Sequence, residues 1–458
     1  MPTPLSRRSF LETAAAATTL TLLPAGRART YAANENVALG MIGVGGMGQG
    51  NRLHFKGLPG CSIIGLCDVD RKRLPAAEKD HPGAKSFVDY RKMLEELKEL
   101  DAVMVSTPDH QHFPASMLAM KLGKAVSTEK PLAHSVWEAR QLALAAAKYK
   151  VATQHDHEGH AREGLRRLVE WVQSGAIGAV REAHIWTDRP IWPQGLKQRP
   201  PTKPVPEGLE WDLWIGPAPY RDYHEHLHAF AWRGWWDFGC GALGDMGCHF
   251  WDSAVWSLKL GHPDTIEAEQ EGNSEETGPN WSVITYQFPA RGDTSAPLSA
   301  GLPPVTVKWW DGHKPGPDGK KVQNLPPRPP ELEADRKLPT NGSMFIGEKA
   351  TIVCADTDSP RIVPEAKMKE FKPPAPFLPR APNNDHKLEW IQAIKGGKPA
   401  GSDFALYGGH LAEVVLLGNV AVRVGKKIEW DGANLKAKNC PEADRFLRRE
   451  YRKGWDFT

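Results

Sequence analysis

The sequence predicts an α/β protein made of a doubly wound parallel sheet followed by an α+β domain with a large, mainly antiparallel open sheet. Three observations point to this class. From Val37 onward, short apolar runs alternate with stretches of helical periodicity, as strands do when each feeds a crossover helix. The first run ends in a glycine-rich turn, Gly43-Val44-Gly45-Gly46-Met47-Gly48. Beyond residue 156 the pattern changes: Val180 to Trp186, Ser282 to Phe288 and Val305 to Trp310 alternate apolar and polar residues, as antiparallel strands do. The boundaries that follow are 1–33 for a leader, 34–155 for the first domain and 156–458 for the second, with a Pro-rich insertion near 289–340.

The composition narrows the function classes. A chain of 458 residues with 40% hydrophobic and 25% charged residues can bury sizeable cores, and a net charge of +3 provides no basic footprint for nucleic acid. Within the leader, Ser6-Arg7-Arg8-Ser9-Phe10-Leu11 resembles the twin-arginine export signal. The apolar run from Thr13 to Leu23 that follows it is too short to span a bilayer. The resemblance implies export of the folded protein, a periplasmic or exported location, and no membrane span in the mature chain. Residues 1–33 hold four arginines against one glutamate, so the mature chain carries no net charge. The six cysteines show no disulfide framework and read as mostly reduced and buried.

In the first domain the predicted strands are Val37 to Ile42, Ser62 to Cys67, Ala102 to Ser106, Ala125 to Thr128 and Val151 to Gln154. Ser135 and Glu138 form a capping box for a helix reaching about Lys148. The glycine turn matches G-x-G-x-x-G directly after a strand, where Gly43, Gly45, Gly46, Met47 and Gly48 bring backbone N–H groups to a pyrophosphate at a helix N-terminus. Asp68, 20 residues after Gly48 at the end of the second strand, is placed to accept bonds from ribose hydroxyls and to repel a 2′-phosphate. The cofactor read from these residues is NAD; Arg71 and Arg73 keep NADP open as the less favoured one.

Thr107-Pro108-Asp109-His110-Gln111-His112 and Glu129-Lys130-Pro131 follow the next two strands, whose ends line the ligand crevice of such a sheet. With these motifs the chain resembles the Gfo/Idh/MocA family of sugar and cyclitol oxidoreductases, whose signature after the fourth strand is Glu-Lys-Pro. The resemblance implies that Lys130 reaches both the nicotinamide side and the reacting hydroxyl, and that Thr107, Pro108, His112 and Glu129 contact the cofactor. Asp109 stands where the family usually has Asn, and a carboxylate cannot donate the hydrogen bonds an amide can.

In the second domain, His160 to Gln173 reads as an amphipathic helix. Asp245 and His249 are four apart and share one helix face. The family's Asp-x-Gly-x-His arrangement implies that they form the catalytic pair with Lys130, His249 taking the hydroxyl proton as hydride leaves the same carbon. Nine of the 17 tryptophans fall between Trp186 and Trp256. Most are expected in the core, with a few stacking on the apolar face of a sugar. Arg233, Trp235, Trp236 and His160 are the substrate-binding candidates. His224, His226 and His228 share a face if extended, with Cys240, Cys248 and His249 following, but no Cys-x-x-Cys spacing is present, so no metal is assigned.

These residues lead to an expected NAD-dependent oxidoreductase acting on a sugar-type CH–OH group, its partner a small-molecule carbohydrate, with homo-oligomerisation left open. Free NAD is scarce outside the cytoplasm, which brings forward an alternative: an NAD-dependent glycoside hydrolase that oxidises a sugar carbon transiently, eliminates the aglycone, adds water and returns the hydride. A third reading, a sugar-binding protein without turnover, is disfavoured by the intact Lys130 and His249.

Overall fold

A computed structural model describes residues 36–292 and 302–455, so the export-type segment lies outside the described residues. The first sheet contains β1 (Val37–Ile42), β2 (Cys61–Cys67), β3 (Lys85–Phe87), β4 (Ala102–Val105), β5 (Ala125–Glu129) and β6 (Thr153–Asp156) in the order β3-β2-β1-β4-β5-β6, every pair parallel. Helices on both faces bury β4 and β5 completely, which is why these strands are continuous apolar or small-residue runs without alternation. The strand order reverses between β1 and β4, and the ligand crevice of a doubly wound sheet opens at such a point. Helix α1 (Met47–Gly57) leaves the glycine turn, α2 (His112–Lys121) follows β4, and α3 (Val136–Tyr149) follows β5. The capping box at α3 is present: Glu138 N–H donates to Ser135 Oγ at 3.3 Å, and Ser135 N–H to the Glu138 carboxylate at 3.1 Å.

The second sheet runs β14 (Ser359–Val363), β13 (Thr351–Ala355), β12 (Gly342–Gly347), β7 (Val180–Trp186), β10 (Val305–Pro315), β9 (Trp281–Phe288), β8 (Thr265–Glu271), β15 (Ile428–Asp431) and β16 (Lys436–Ala437), with β11 (Lys321–Gln323) paired to β10. Only β7 and β10 are parallel neighbours; the other pairs are antiparallel. Stretch 289–340 is therefore more than a loop: it supplies the central strand β10, held there by the fully buried Trp309, whose indole N–H donates to Asp311 at 2.7 Å.

Helices α4 (Glu163–Gln173), α5 (Gly241–Ser257) and α7 (Gly409–Val424) cover this sheet, and α7 also packs on α3 of the first domain. The segment Phe404–Val424 is apolar and long enough to cross a membrane, but it is mostly buried in this shared core. Helix α6 (His386–Ile394) places Trp390 in the same cluster as Val37 and Leu39, so the end of the chain returns to the nucleotide half. All six cysteines are free thiols, five of them buried.

Candidate active site

The glycine turn has the geometry of a phosphate cradle. Gly43 has φ +87°, a backbone state that favours glycine, and a Cβ on Gly48 would stand 2.0 Å from the Gly43 carbonyl oxygen. Gly48 thus serves the close packing of α1 against the turn, while Gly43, Gly45, Gly46 and Met47 line a cavity of about 470 Å³. Asp68 lies at its edge, accepting from Val44 N–H at 3.0 Å and from Asp70 N–H at 2.9 Å. Burial pushes the Asp68 carboxyl up from its usual value, against the pull of Arg73. Thr107, Pro108 and Glu129 line the same cavity, and the Thr107 hydroxyl is buried with no protein partner. A glycine cradle, a ribose-side carboxylate and an unpartnered hydroxyl fit a dinucleotide.

At the far end of the cavity, Lys130 Nζ donates to Asp245 Oδ1 at 2.9 Å and to the Asp245 carbonyl oxygen at 2.8 Å. Arg233 Nε donates to the same Oδ1 at 3.2 Å. Burial alone would raise Asp245, but Lys130 and Arg233 hold it down at about 2. Burial likewise works against the Lys130 ammonium, yet the Asp245 and Glu129 charges outweigh it and its pKa is raised. Lys130 is therefore a fixed cation at neutral pH. Trp214, Phe230, Trp232 and Arg233 form the facing wall, the Arg233 guanidinium lying 4.4 Å from the Trp232 ring centroid. The segment just before this wall is strapped to the loop after β2, next to Asp68: Arg71 N–H donates to Gly208 O and Glu210 N–H to Val69 O, both at 2.9 Å.

Two family models match this architecture: an oxidoreductase-family NAD-binding Rossmann fold over residues 37–157 and an oxidoreductase-family C-terminal α/β domain over residues 174–294, both from Gfo/Idh/MocA. Together they cover more than half of the chain. The protein belongs to the Gfo/Idh/MocA oxidoreductase family. Its first domain is an NAD-binding Rossmann domain. An inositol 2-dehydrogenase of Rubrobacter xylanophilus is 32% identical over 151 residues, covering 32% of this chain and 42% of that protein. A glycosyl hydrolase family 109 protein of Shewanella sp. strain ANA-3 is 35% identical over 113 residues, 23% of this chain and 25% of that one. These alignments thus span less than half of each relative. The fold is shared with the WlbA dehydrogenase from Bordetella pertussis, solved in complex with NADH and UDP-GlcNAcA, at a TM-score of 0.57 and 16% identity over 87% of this chain and 98% of that one.

Within this Gfo/Idh/MocA site the remaining sequence candidates fall into two groups. Lys130, Asp245 and Arg233 come together with the cofactor-side residues around one cavity. His249 lies one helical turn beyond Asp245 on α5, half-buried and outside the cavity lining, its ring making no hydrogen bond with the described residues. Burial, with the Lys130 charge, lowers it to about 3, so its ring is neutral at pH 7. His112 does not line the cavity: fully buried and lowered to about 4 by that burial, its ring sits 2.7 Å from Pro131 O and 2.8 Å from Thr107 O. It positions the two motif loops relative to each other.

The substrate expectations for Trp235, Trp236 and His160 are corrected by packing. Trp235 is fully buried in a satellite core with Trp211 and Phe238, and the Trp236 indole N–H is used by Asn273 at 3.1 Å. His160 is buried against Trp256, its Nδ1 3.0 Å from Asp252 Oδ2. Trp214 and Trp232 from the same tryptophan-rich stretch line the cavity instead, and Trp455, from the end of the chain and marked by no local sequence pattern, lines it beside Tyr90 of the first domain. His224, His226 and His228 do not converge either; His228 instead pairs with Asp70 at 3.1 Å.

Asp109 is the family departure with a structural answer. Its carboxyl accepts from Cys240 N–H at 2.9 Å, and burial, reinforced by Asp245 and opposed by Arg233, raises it to about 7. When protonated, as it is below pH 7, it has a proton to donate, as the amide of Asn would.

Proposed function

We propose that the chain is an NAD-dependent oxidoreductase that moves a hydride between a secondary hydroxyl of a sugar or cyclitol and tightly held NAD. The supporting observation is the Lys130–Asp245 pair, set where the glycine cradle and an aromatic wall meet in one cavity. NAD, when bound, supplies the hydride acceptor. Asp245 holds Lys130 charged and aims its ammonium; Lys130 binds the reacting oxygen and lowers the cost of the alkoxide that develops there. His249, one helical turn along α5 from Asp245, is the residue assigned to take the hydroxyl proton on a ring nitrogen. Trp214 and Trp232 border the cavity where the C–H side of a carbohydrate ring would pack, and Arg233 donates to hydroxyls at the ring's edge. A panel of free sugars and cyclitols with NAD tests this reading: formation of a keto product together with reduced nicotinamide supports it, and no reduction with any member of the panel counts against it.

The strap beside Asp68 favours a second reading, because a cofactor that stays bound suits a cycle in which it ends unchanged. In that reading the protein is a glycoside hydrolase working by oxidation, elimination, water addition and re-reduction. Aryl and alkyl glycosides separate the two: net hydrolysis without keto-sugar accumulation is the hydrolase, keto-sugar release the dehydrogenase. Both readings carry the export proposal, in which the protein folds around its cofactor before reaching the periplasm; its test is a fusion of residues 1–33 to a reporter that is active only after twin-arginine export.

A further inference from the structure

Behind the catalytic helix lies a group of side chains that hydride transfer does not use. His160 sits in the 3-10 turn that follows β6, and His157 is the extended residue that caps that turn. They face Asp252, which is fully buried in the middle of α5. His160 Nδ1 is 3.0 Å and His157 Nε2 3.3 Å from Asp252 Oδ2, and one ligand atom from each of the three residues falls within 4.8 Å of the others. Three ligand atoms on a tetrahedral ion with bonds of about 2.0–2.1 Å stand about 3.3–3.4 Å apart.

Hydrogen bonding alone leaves part of this group unexplained. The His157 side chain is fully buried, yet neither ring nitrogen makes a well-directed hydrogen bond, even though Nε2 is so close to the carboxylate. A nitrogen lone pair aimed at an ion points about 35° away from the line to a neighbouring tetrahedral ligand, so such misalignment is expected of a metal ligand and costly for a hydrogen-bonded one. His155 stands beside it, ring centroids 4.5 Å apart, buried with both nitrogens also unpartnered. On the other side, the Tyr407 hydroxyl donates to Asp252 Oδ1, as outer partners orient a ligating carboxylate.

We propose that His157, His160 and Asp252 bind one divalent transition-metal ion of the zinc class. Two imidazoles and one carboxylate are a donor set such an ion takes, filling three of its four tetrahedral positions and leaving the fourth to water. The ion ties the turn after β6 to α5 at Asp252, three residues after His249 and seven after Asp245, and so fixes the helix that carries both. This revises the sequence reading, in which no metal was assigned: the relevant His-x-x-His lies in a short turn, and its third ligand is 92 residues away.

The test uses the purified full-length mature protein with its cofactor. Elemental analysis after dialysis is expected to find close to one equivalent of zinc-class metal. Chelator treatment followed by Co²⁺ titration is expected to give the visible absorption of a tetrahedral N/O site, saturating at one equivalent. His157→Gln should lower the bound metal at least tenfold, while His262→Gln, in the separate His262, His410 and Glu413 group, leaves it unchanged. Should His157→Gln fail to fold, the Co²⁺ titration of the unsubstituted protein decides. Less than a tenth of an equivalent in the dialysed protein, with no Co²⁺ or Zn²⁺ uptake by chelator-treated protein of native circular dichroism, would overturn the proposal, as would full metal retention by folded His157→Gln.

Discussion

Lys130 Nζ lies 2.9 Å from Asp245 Oδ1, a contact that ties the end of β5 to the cavity-lining face of α5 across 115 residues of chain. Lys130 also donates to the Asp245 carbonyl oxygen, so the ammonium is held by two acceptors on one helical residue. The two domains therefore meet at the point where the chemistry is proposed, and a cation there cannot be traded for a neutral group without leaving a buried carboxylate short of a partner.

The first prediction concerns that pair. Lys130→Met should lower kcat by about 10²–10³-fold while NAD stays bound, because the side chain acts on the developing alkoxide rather than on the cradle. Asp245→Asn should lower kcat less, about tenfold, since Lys130 keeps the Asp245 carbonyl oxygen and the Glu129 charge nearby. Steady-state kinetics with cofactor content measured in parallel checks both; a Lys130→Met protein with near-normal kcat would remove the residue from the reaction.

Asp109 makes stability pH-dependent in a definite direction. Its carboxyl titrates near 3.8 when unfolded and near 7 in the fold, so the folded state binds the extra proton and unfolding free energy falls as pH rises through that interval. Each pH unit of the interval is worth at most about 1.4 kcal/mol. Asp109→Asn keeps a donor and cannot ionise. Its melting temperature is expected to gain on that of the unsubstituted protein from pH 4 to pH 7 and to run parallel above; a difference that stays constant with pH would show that Asp109 does not titrate there.

What the sequence disclosed followed the range of the forces involved. Strands Val37–Ile42 and Val180–Trp186 and the Ser135–Glu138 cap were readable because local periodicity and a four-residue motif determine them. Strand β3, three partly exposed residues at the sheet edge, is too short to carry a period. The site was half legible: Lys130 and Asp245 stand in motifs, whereas Trp211, Trp214, Trp232 and Trp235 share one satellite core and only packing decides that Trp214 and Trp232 are the two of them that border the cavity. Long-range packing likewise brings Trp455 to the cavity from the other end of the chain.

Asp68 is predicted to set cofactor choice. Its carboxylate accepts from Val44 N–H in the glycine turn and lies within the influence of Arg73, so Asp68→Ala removes both a brace of the cradle and the charge that would repel a 2′-phosphate. Affinity for NAD is expected to fall about tenfold or more, and the preference for NAD over NADP to shrink as Arg73 becomes available to a phosphate. Titration of the emptied protein with each cofactor measures both quantities; an unchanged ratio would place the discrimination elsewhere.

Retention of the cofactor is predicted to depend on backbone bonds of the strap rather than on its charges. Arg71 and Glu210 form an ion pair, but both side chains are well exposed, so the pair contributes little. Glu210 N–H, by contrast, donates to Val69 O at 2.9 Å, next to the carboxylate that faces the cradle, and a bond of this kind contributes about 1 kcal/mol. Glu210 has φ −77°, which proline can adopt, so Glu210→Pro deletes the donor while keeping the backbone path. Its NAD dissociation rate is expected to rise about fivefold, whereas Glu210→Ala, which loses only the exposed carboxylate, should stay within twofold of the unsubstituted protein. Stopped-flow displacement of bound NAD separates them. Equal effects of the two substitutions would assign the hold to the ion pair, and no effect of Glu210→Pro would show that the strap does not gate release.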